Sequence, residues 1–179
     1  GKERMIWRYD PILLSERVDI EYHLKYFEHM ASKLIGYTDK CVISFLDSYS
    51  KTKRNTKDLE LREISLNDMV YIAEGLSKIA RRYGIKLKSC SEVIDLDSFG
   101  IRHGKCIDDK LISRIIGVKA SIDKDKNQRE ECGCVKSVDI GAYNTCPHLC
   151  KYCYANFSLN TALKNHSMHN PNSPLLFGE

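Results

Sequence analysis

Apolar residues recur along the chain at two periods, and the alternation between the periods predicts strands followed by helices. Residues 4–9 (Arg-Met-Ile-Trp-Arg-Tyr) open as a strand, and Asp10-Pro11 ends its pairing because proline fixes φ and has no amide donor. Ile20, Leu24, Phe27, Ala31 and Leu34 then follow at the three- and four-residue steps of a helix, with Asp19 able to cap it and Gly36 placed where a left-handed closing residue belongs. Residues 41–46 are short, β-branched and nearly all apolar, which suits a strand buried on both faces. A basic loop over residues 51–54 leads to a second helix. Ser65 with Asp68 gives it a capping-box-like start, Met69, Ile72, Ala73, Leu76, Ile79, Ala80 and Tyr83 form one apolar stripe, and Gly84 ends it. Residues 85–89 read as a third strand, 109–116 as a short helix stopped by Gly117, and 135–143 as a fourth strand. A last helical stretch falls between Ser158 and His166.

This order predicts an α/β fold, a partial parallel β/α barrel, with a doubly wound sheet as the second choice. Residues 1–117 supply the βα units, and 118–179 form a cysteine-rich, cluster-binding segment that completes the same domain. A strand at the very start, with no initiator Met, makes the sequence read as the C-terminal part of a longer chain. In either architecture ligands meet the carboxyl ends of the strands, which singles out Asp10, Ser44 with Asp47, Cys90 with Glu92, and Asn144.

Composition narrows the class. With 179 residues, 42% of them hydrophobic and 29% charged, one ordinary core is expected, and disordered or collagen-like chains are excluded. The longest apolar run, 69–73, is far too short to cross a bilayer, and residues 1–4 lack the apolar stretch of a signal peptide, so a cytoplasmic protein without a membrane partner is expected. The net charge is +4, and the basic stretches 51–57 and 119–129 carry no aromatic ladder; they read as solvated loops rather than a nucleic-acid footprint. Eight cysteines are out of line with the rest, and in a reducing compartment they point to metal or redox chemistry.

Three of them form Cys146-Pro147-His148-Leu149-Cys150-Lys151-Tyr152-Cys153, a C-x3-C-x2-C loop directly after a predicted strand. Three thiolates on one tight loop can bind three irons of a cubane and leave the fourth iron open, whereas a fourth cysteine would favour a closed electron-transfer centre. With Tyr152 before the third cysteine and Tyr154-Ala155-Asn156 after it, the loop resembles the radical S-adenosylmethionine superfamily. The stretch from Trp7-Arg8-Tyr9-Asp10-Pro11 through Asp139-Ile140-Gly141-Ala142-Tyr143-Asn144 to Pro171-Asn172-Ser173-Pro174-Leu175-Leu176 resembles an uncharacterised microbial family, a domain of unknown function with this triad near its C-terminus. The resemblance implies a 4Fe-4S cluster on Cys146, Cys150 and Cys153, S-adenosylmethionine on the open iron, and Tyr152 against the adenine. It also implies an electron donor such as flavodoxin or ferredoxin and hydrogen abstraction from an unknown substrate. Asn144 and Asp10 are further candidates for binding the cofactor. Most of the superfamily carries its triad after the first strand; here it follows the last predicted one, implying a rearranged barrel.

The alternative is a zinc-stabilised structural or nucleic-acid-binding module, because Cys150, Cys153, His166 and His169 approach the spacing of a two-Cys, two-His finger. Its last gap is one residue short, and it leaves Cys146 without a role. Of the other five cysteines, Cys41 opens a buried strand. Cys90, Cys106, Cys132 and Cys134 lie in segments expected near the carboxyl ends of the strands, and they are expected to converge on a second iron-sulfur cluster or a zinc ion.

Overall fold

Side chains that alternate between two environments build a parallel sheet whose four strands pair in chain order: β1 (Trp7–Ile12), β2 (Lys40–Phe45), β3 (Lys86–Ser89) and β4 (Arg102–His103). The helices of this computed structural model, which describes residues 1–47 and 50–175, are α1 (Ile20–Lys33), α2 (Ser50–Asn55), α3 (Leu66–Arg82), α4 (Asp109–Ile116) and α5 (Leu159–Ser167). The chain divides into two compact units. One comprises Gly1–Asp47 with Leu61–Ser137, and the other Ser48–Glu60 with Val138–Glu179.

The first unit holds the sheet. Trp7 stacks on Phe27 of α1 with centroids 4.6 Å apart, and Tyr9 meets the same ring edge-on at 5.1 Å. These two residues share a register row with Cys41 and Ile43 of β2, which in turn pair with Leu87 and Ser89 of β3. Ile72, Ala73, Leu76, Ile79 and Ala80 of α3 complete one apolar cluster with them. Both long helices therefore cover the same face, as in a singly wound sheet rather than a doubly wound one. Gly75 of α3 lets them come close, since a Cβ there would meet Leu24 of α1 at 2.5 Å. Of the polar groups inside this layer, the Trp7 indole N–H is buried without a partner among the described residues, whereas the His23 imidazole is satisfied. The His23 ring bonds Tyr9 Oη (2.9 Å) and the Leu13 carbonyl (2.6 Å), and burial lowers its pKa.

Helix boundaries follow local chemistry. Asp19 accepts from the Tyr22 amide at 2.7 Å to start α1. Ser65 and Asp68 form a reciprocal capping box on α3, and Gly36, Gly84 and Gly117 all sit at positive φ beyond helix ends.

Three expectations need correction. The first strand begins at Trp7, because Lys2–Arg4 turn as a 3-10 helix, and it continues through Pro11 with a register shift between Tyr9 and Ile12. β1 is an edge strand, so the missing proline amide costs no ladder bond on its open side. Residues 51–54 belong to α2 rather than to a loop. The strand expected over 135–143 does not form: Val135 makes one antiparallel bridge to Lys124, Val138 and Ile140 are exposed, and the Asp139 side chain takes the Gly141 amide at 2.7 Å in place of a ladder partner. Instead the fourth strand is β4, two exposed residues paired to Lys88 and Ser89. The expected α/β fold with a parallel sheet is present; the sheet is open, with β1 and β4 as its edges, and the described residues show no closed barrel. Among those residues no helix is long and apolar enough to cross a membrane.

Phe27 is fully buried at the meeting point of Trp7 and Tyr9. Phe27→Ala should cost about 3–5 kcal/mol of unfolding free energy. A shift in the urea midpoint at unchanged slope checks this, and a loss below about 1 kcal/mol would show that the aromatic layer does not organise the core.

Candidate functional site

The face of the sheet away from α1 and α3 is assembled by the residues between those of the core. Arg8 lies between Trp7 and Tyr9, and strand alternation sends it to the other side. Its register row runs through Val42 and Lys88 to Arg102, so this face carries three cations around a valine that is buried outside the main core cluster. Burial, then Arg102 and Lys40, lower the Lys88 pKa.

Beyond β3 the Cys90 amide donates to the Ile43 carbonyl at 2.9 Å, fixing Cys90 beside the end of β2. The chain after β4 is drawn to β3 by Gly104, whose amide donates to the Ser89 carbonyl at 2.6 Å. A Cβ on Gly104 would stand 3.1 Å from that oxygen and from Lys88 Cβ, so the approach favours a residue without one. Cys106 follows two residues later, and its Sγ lies 3.1 Å from Cys90 Sγ. Arg8 Nη1 donates to Cys106 Sγ at 2.7 Å while its Nε donates to Asp10 at 3.1 Å. Asp10, expected as a cofactor ligand, is thus the ion-pair partner of Arg8.

The Cys132-Gly133-Cys134 segment joins through the Val135 amide, which donates to the Ile107 carbonyl at 3.2 Å. Cys134 Sγ accepts from the amides of Cys106 (3.1 Å) and Ile107 (3.4 Å). Cys132 is buried, which raises its thiol pKa, and the neighbouring Cys134 and Cys106 thiols add to this. The Cys106 hydrogen bond brings the Cys90 thiol down to about 7, with help from Arg8; the same bond, with burial, pushes Cys106 up. Cys41 stands apart, buried in the strand row and strongly raised by burial. Glu92 caps β2 by accepting the Phe45 amide at 2.8 Å; burial raises its pKa, and Asp47 pairs with Arg129.

In the second unit Asn144 organises the loop that carries the other three cysteines. Its amide donates to the Ala155 carbonyl (3.0 Å), its Oδ1 accepts from the amides of Phe157 (2.6 Å) and Ser158 (3.3 Å), and its carbonyl accepts from Asn165 Nδ2 (2.9 Å). Asn144 is at φ +55 and Leu149 at φ +53, so the loop turns sharply at its start and again just before Cys150. Asn156 Nδ2 holds the Cys146 carbonyl at 2.7 Å, while its Oδ1 is buried without a partner among the described residues. Cys146 and Cys150 are exposed, and Cys153 and Tyr152 are half-buried. Lys151 pairs with Asp58, lowering that carboxyl's pKa. His166 and His169 are both exposed, one at the end of α5 and one just past it. Leu176, the last residue quoted in the family resemblance, lies outside the described residues.

Among the described residues no three His, Cys, Asp or Glu side chains already stand together in a set that could hold an ion, so neither cysteine group is a closed ligand set as it stands. Sequence reasoning missed Arg8, Lys105, Asn156 and Asn165. Arg8 had a signal, a charge between two aromatic residues of a strand; the asparagines had none, because their partners are backbone atoms set by the loop.

The fold and these residues define an α/β protein with a singly wound parallel sheet and two groups of cysteines, one in each unit. Residues 1–155 match the model of a family described as Domain of unknown function (DUF1848), and the chain belongs to that family. No curated protein and no solved structure matches it.

Asn144→Gly keeps the positive φ accessible but removes the acceptor of two amides. Hydrogen exchange at Phe157 and Ser158 should quicken by about tenfold or more, as expected for losing bonds worth about 1 kcal/mol each. Unchanged protection would show that Asn144 does not clamp the loop.

Proposed function

We propose that the protein is a radical S-adenosylmethionine enzyme holding a 4Fe-4S cluster on Cys146, Cys150 and Cys153 and acting on a substrate yet to be identified. The observation that carries this reading is the clamped loop: it presents three cysteines at or near the surface, with the Asn156 amide tied to its first carbonyl. Three thiolates without a fourth in the loop leave one iron for an exchangeable ligand. The donor set fits such a group, and the unpartnered Asn156 Oδ1 is a buried acceptor beside Cys146 that suits the amino group of a bound cofactor.

Cys146, Cys150 and Cys153 would hold the cluster, which would supply one-electron reductive cleavage of S-adenosylmethionine, fed by a flavodoxin- or ferredoxin-type donor, to methionine and a 5′-deoxyadenosyl radical for hydrogen abstraction from the substrate. The chain's own residues bind and orient. Asn144 and Asn165 hold the two ends of the loop together, Leu149 turns it between the first and second cysteines, and Tyr152 offers a half-buried ring against the adenine. The sequential order β1-β2-β3-β4, with both long helices on one face, is the arrangement found in part of a β/α barrel and supports that architecture for the enzyme.

Anaerobic reconstitution with iron and sulfide should give a brown protein that forms 5′-deoxyadenosine from S-adenosylmethionine and dithionite. Cys146→Ala, Cys150→Ala and Cys153→Ala should each abolish that product, whereas Cys41→Ala should retain it. Product surviving in any triad variant overturns the assignment. A colourless protein with zinc and no iron at Cys150, Cys153, His166 and His169 would favour the zinc-stabilised module instead.

A further inference from the structure

Residues 118–137 form an irregular segment with neither helix nor strand, and almost all of its side chains face solvent. Its buried residues are Cys132, Cys134 and Val135. A stretch so poor in apolar groups has little hydrophobic reason to stay folded, and small loop-rich segments of this kind commonly rely on a metal or covalent staple. Of these, Cys134 Sγ lies on the Cys106 amide, and Cys106 Sγ in turn lies 3.1 Å from Cys90 Sγ, at the ends of β4 and β3.

We infer that Cys90, Cys106, Cys132 and Cys134 form a four-thiolate site for a thiophilic metal centre, separate from the triad and located within the first unit. Three observations support it besides proximity. Cys134 Sγ receives two backbone amides, an arrangement suited to a thiolate because a neutral thiol is only a weak acceptor. A cation lies where the charge would be: Arg8, which also pairs with Asp10, donates directly to Cys106 Sγ, while the Lys105 stem runs past Gly133 and its ammonium pairs with Asp109 at 2.6 Å. Four thiolates around one divalent ion carry a net double negative charge, which the Arg8 contact offsets in part. The third is the chain geometry. Three segments with their own backbone anchors, Cys90 on Ile43, Gly104 on Ser89 and Val135 on Ile107, bring the chain stretches that carry these cysteines next to one another.

An ion cannot enter without a small rearrangement. A tetrahedron with Zn–S bonds of about 2.3 Å has S···S edges of roughly 3.8 Å. The 3.1 Å separation of Cys90 and Cys106 must therefore open by about 0.7 Å, within reach of a rotation about either Cα–Cβ bond. Zinc and an auxiliary iron-sulfur cluster share the four-thiolate chemistry, and metal analysis separates them.

The test uses the full chain carrying Cys146→Ala, Cys150→Ala and Cys153→Ala together, so that any metal found is not the triad's. After exposure to zinc, or to iron and sulfide, and then desalting, it should retain one zinc per chain without sulfide, or one cluster's worth of iron with sulfide. Adding Cys132→Ser and Cys134→Ser should remove that equivalent. If the added pair prevents folding, cobalt(II) titration of the triad-deficient chain decides: intense visible bands of a tetrahedral cobalt thiolate support the site. No retained metal and no such bands, retention in the Cys132/Cys134 variant, or a Cys90–Cys106 disulfide in reduced, metal-loaded protein would overturn it. Because the triad is absent throughout, failure here leaves the proposed radical enzyme standing, and failure of that reading leaves this site standing.

Discussion

The alternation of β1 about its backbone is the constraint on which the first unit depends. Trp7 and Tyr9 must face α1 to meet Phe27, so Arg8 must face the other way. A shift of one residue would bury the guanidinium among aromatic rings and expose the tryptophan, which the core could not tolerate. Parallel pairing then transmits the choice across the sheet. Cys41, Ile43 and Leu87 join the helices, and Val42, Lys88 and Arg102 join Arg8.

That division separates stability from chemistry. The helix-covered face is dry and apolar, and it holds Cys41 as a small packed side chain with a strongly raised pKa. The opposite face is cationic and leads to Cys90 and Cys106, the second of which Arg8 contacts directly. Burial raises a thiol's pKa and a hydrogen bond received by its thiolate lowers it, so identical residues differ in character: the Cys106 hydrogen bond, helped by Arg8, draws Cys90 down to about 7, while burial pushes Cys41 up. The second unit reaches a comparable end by other means. Within its loop asparagine side chains take the place of ladder bonds by capturing backbone groups at both ends of the cysteine run.

Much of the helical structure was legible in the sequence. Asp19, the Ser65/Asp68 box, Gly84 and Gly117 are local signals, because a cap needs partners only within one turn, and α1, α3 and α4 start and stop where those residues stand. Strand pairing is a long-range property and was read less well. Residues 135–143 have a strand-like composition, yet Asp139 turns the chain back on itself, and the described sheet instead ends on Arg102 and His103, two exposed residues with no apolar signal.

The cysteine groups divide along the same line. The C-x3-C-x2-C run is a single local loop, so its spacing alone brings Cys146, Cys150 and Cys153 onto one stretch of backbone, and sequence determines that much. For Cys90, Cys106, Cys132 and Cys134 the sequence supplies the thiols and the expectation that they meet. The tertiary structure decides which sulfurs touch, because Cys90 is set by a bond to β2, Cys106 by the approach of Gly104 to β3, and Cys134 by the joining of Val135 to Ile107. It likewise decides that Arg8, more than ninety positions from Cys106 in the chain, is the charge that sulfur meets. Contacts across such separations are fixed by packing and register, which no residue's own neighbours in sequence encode.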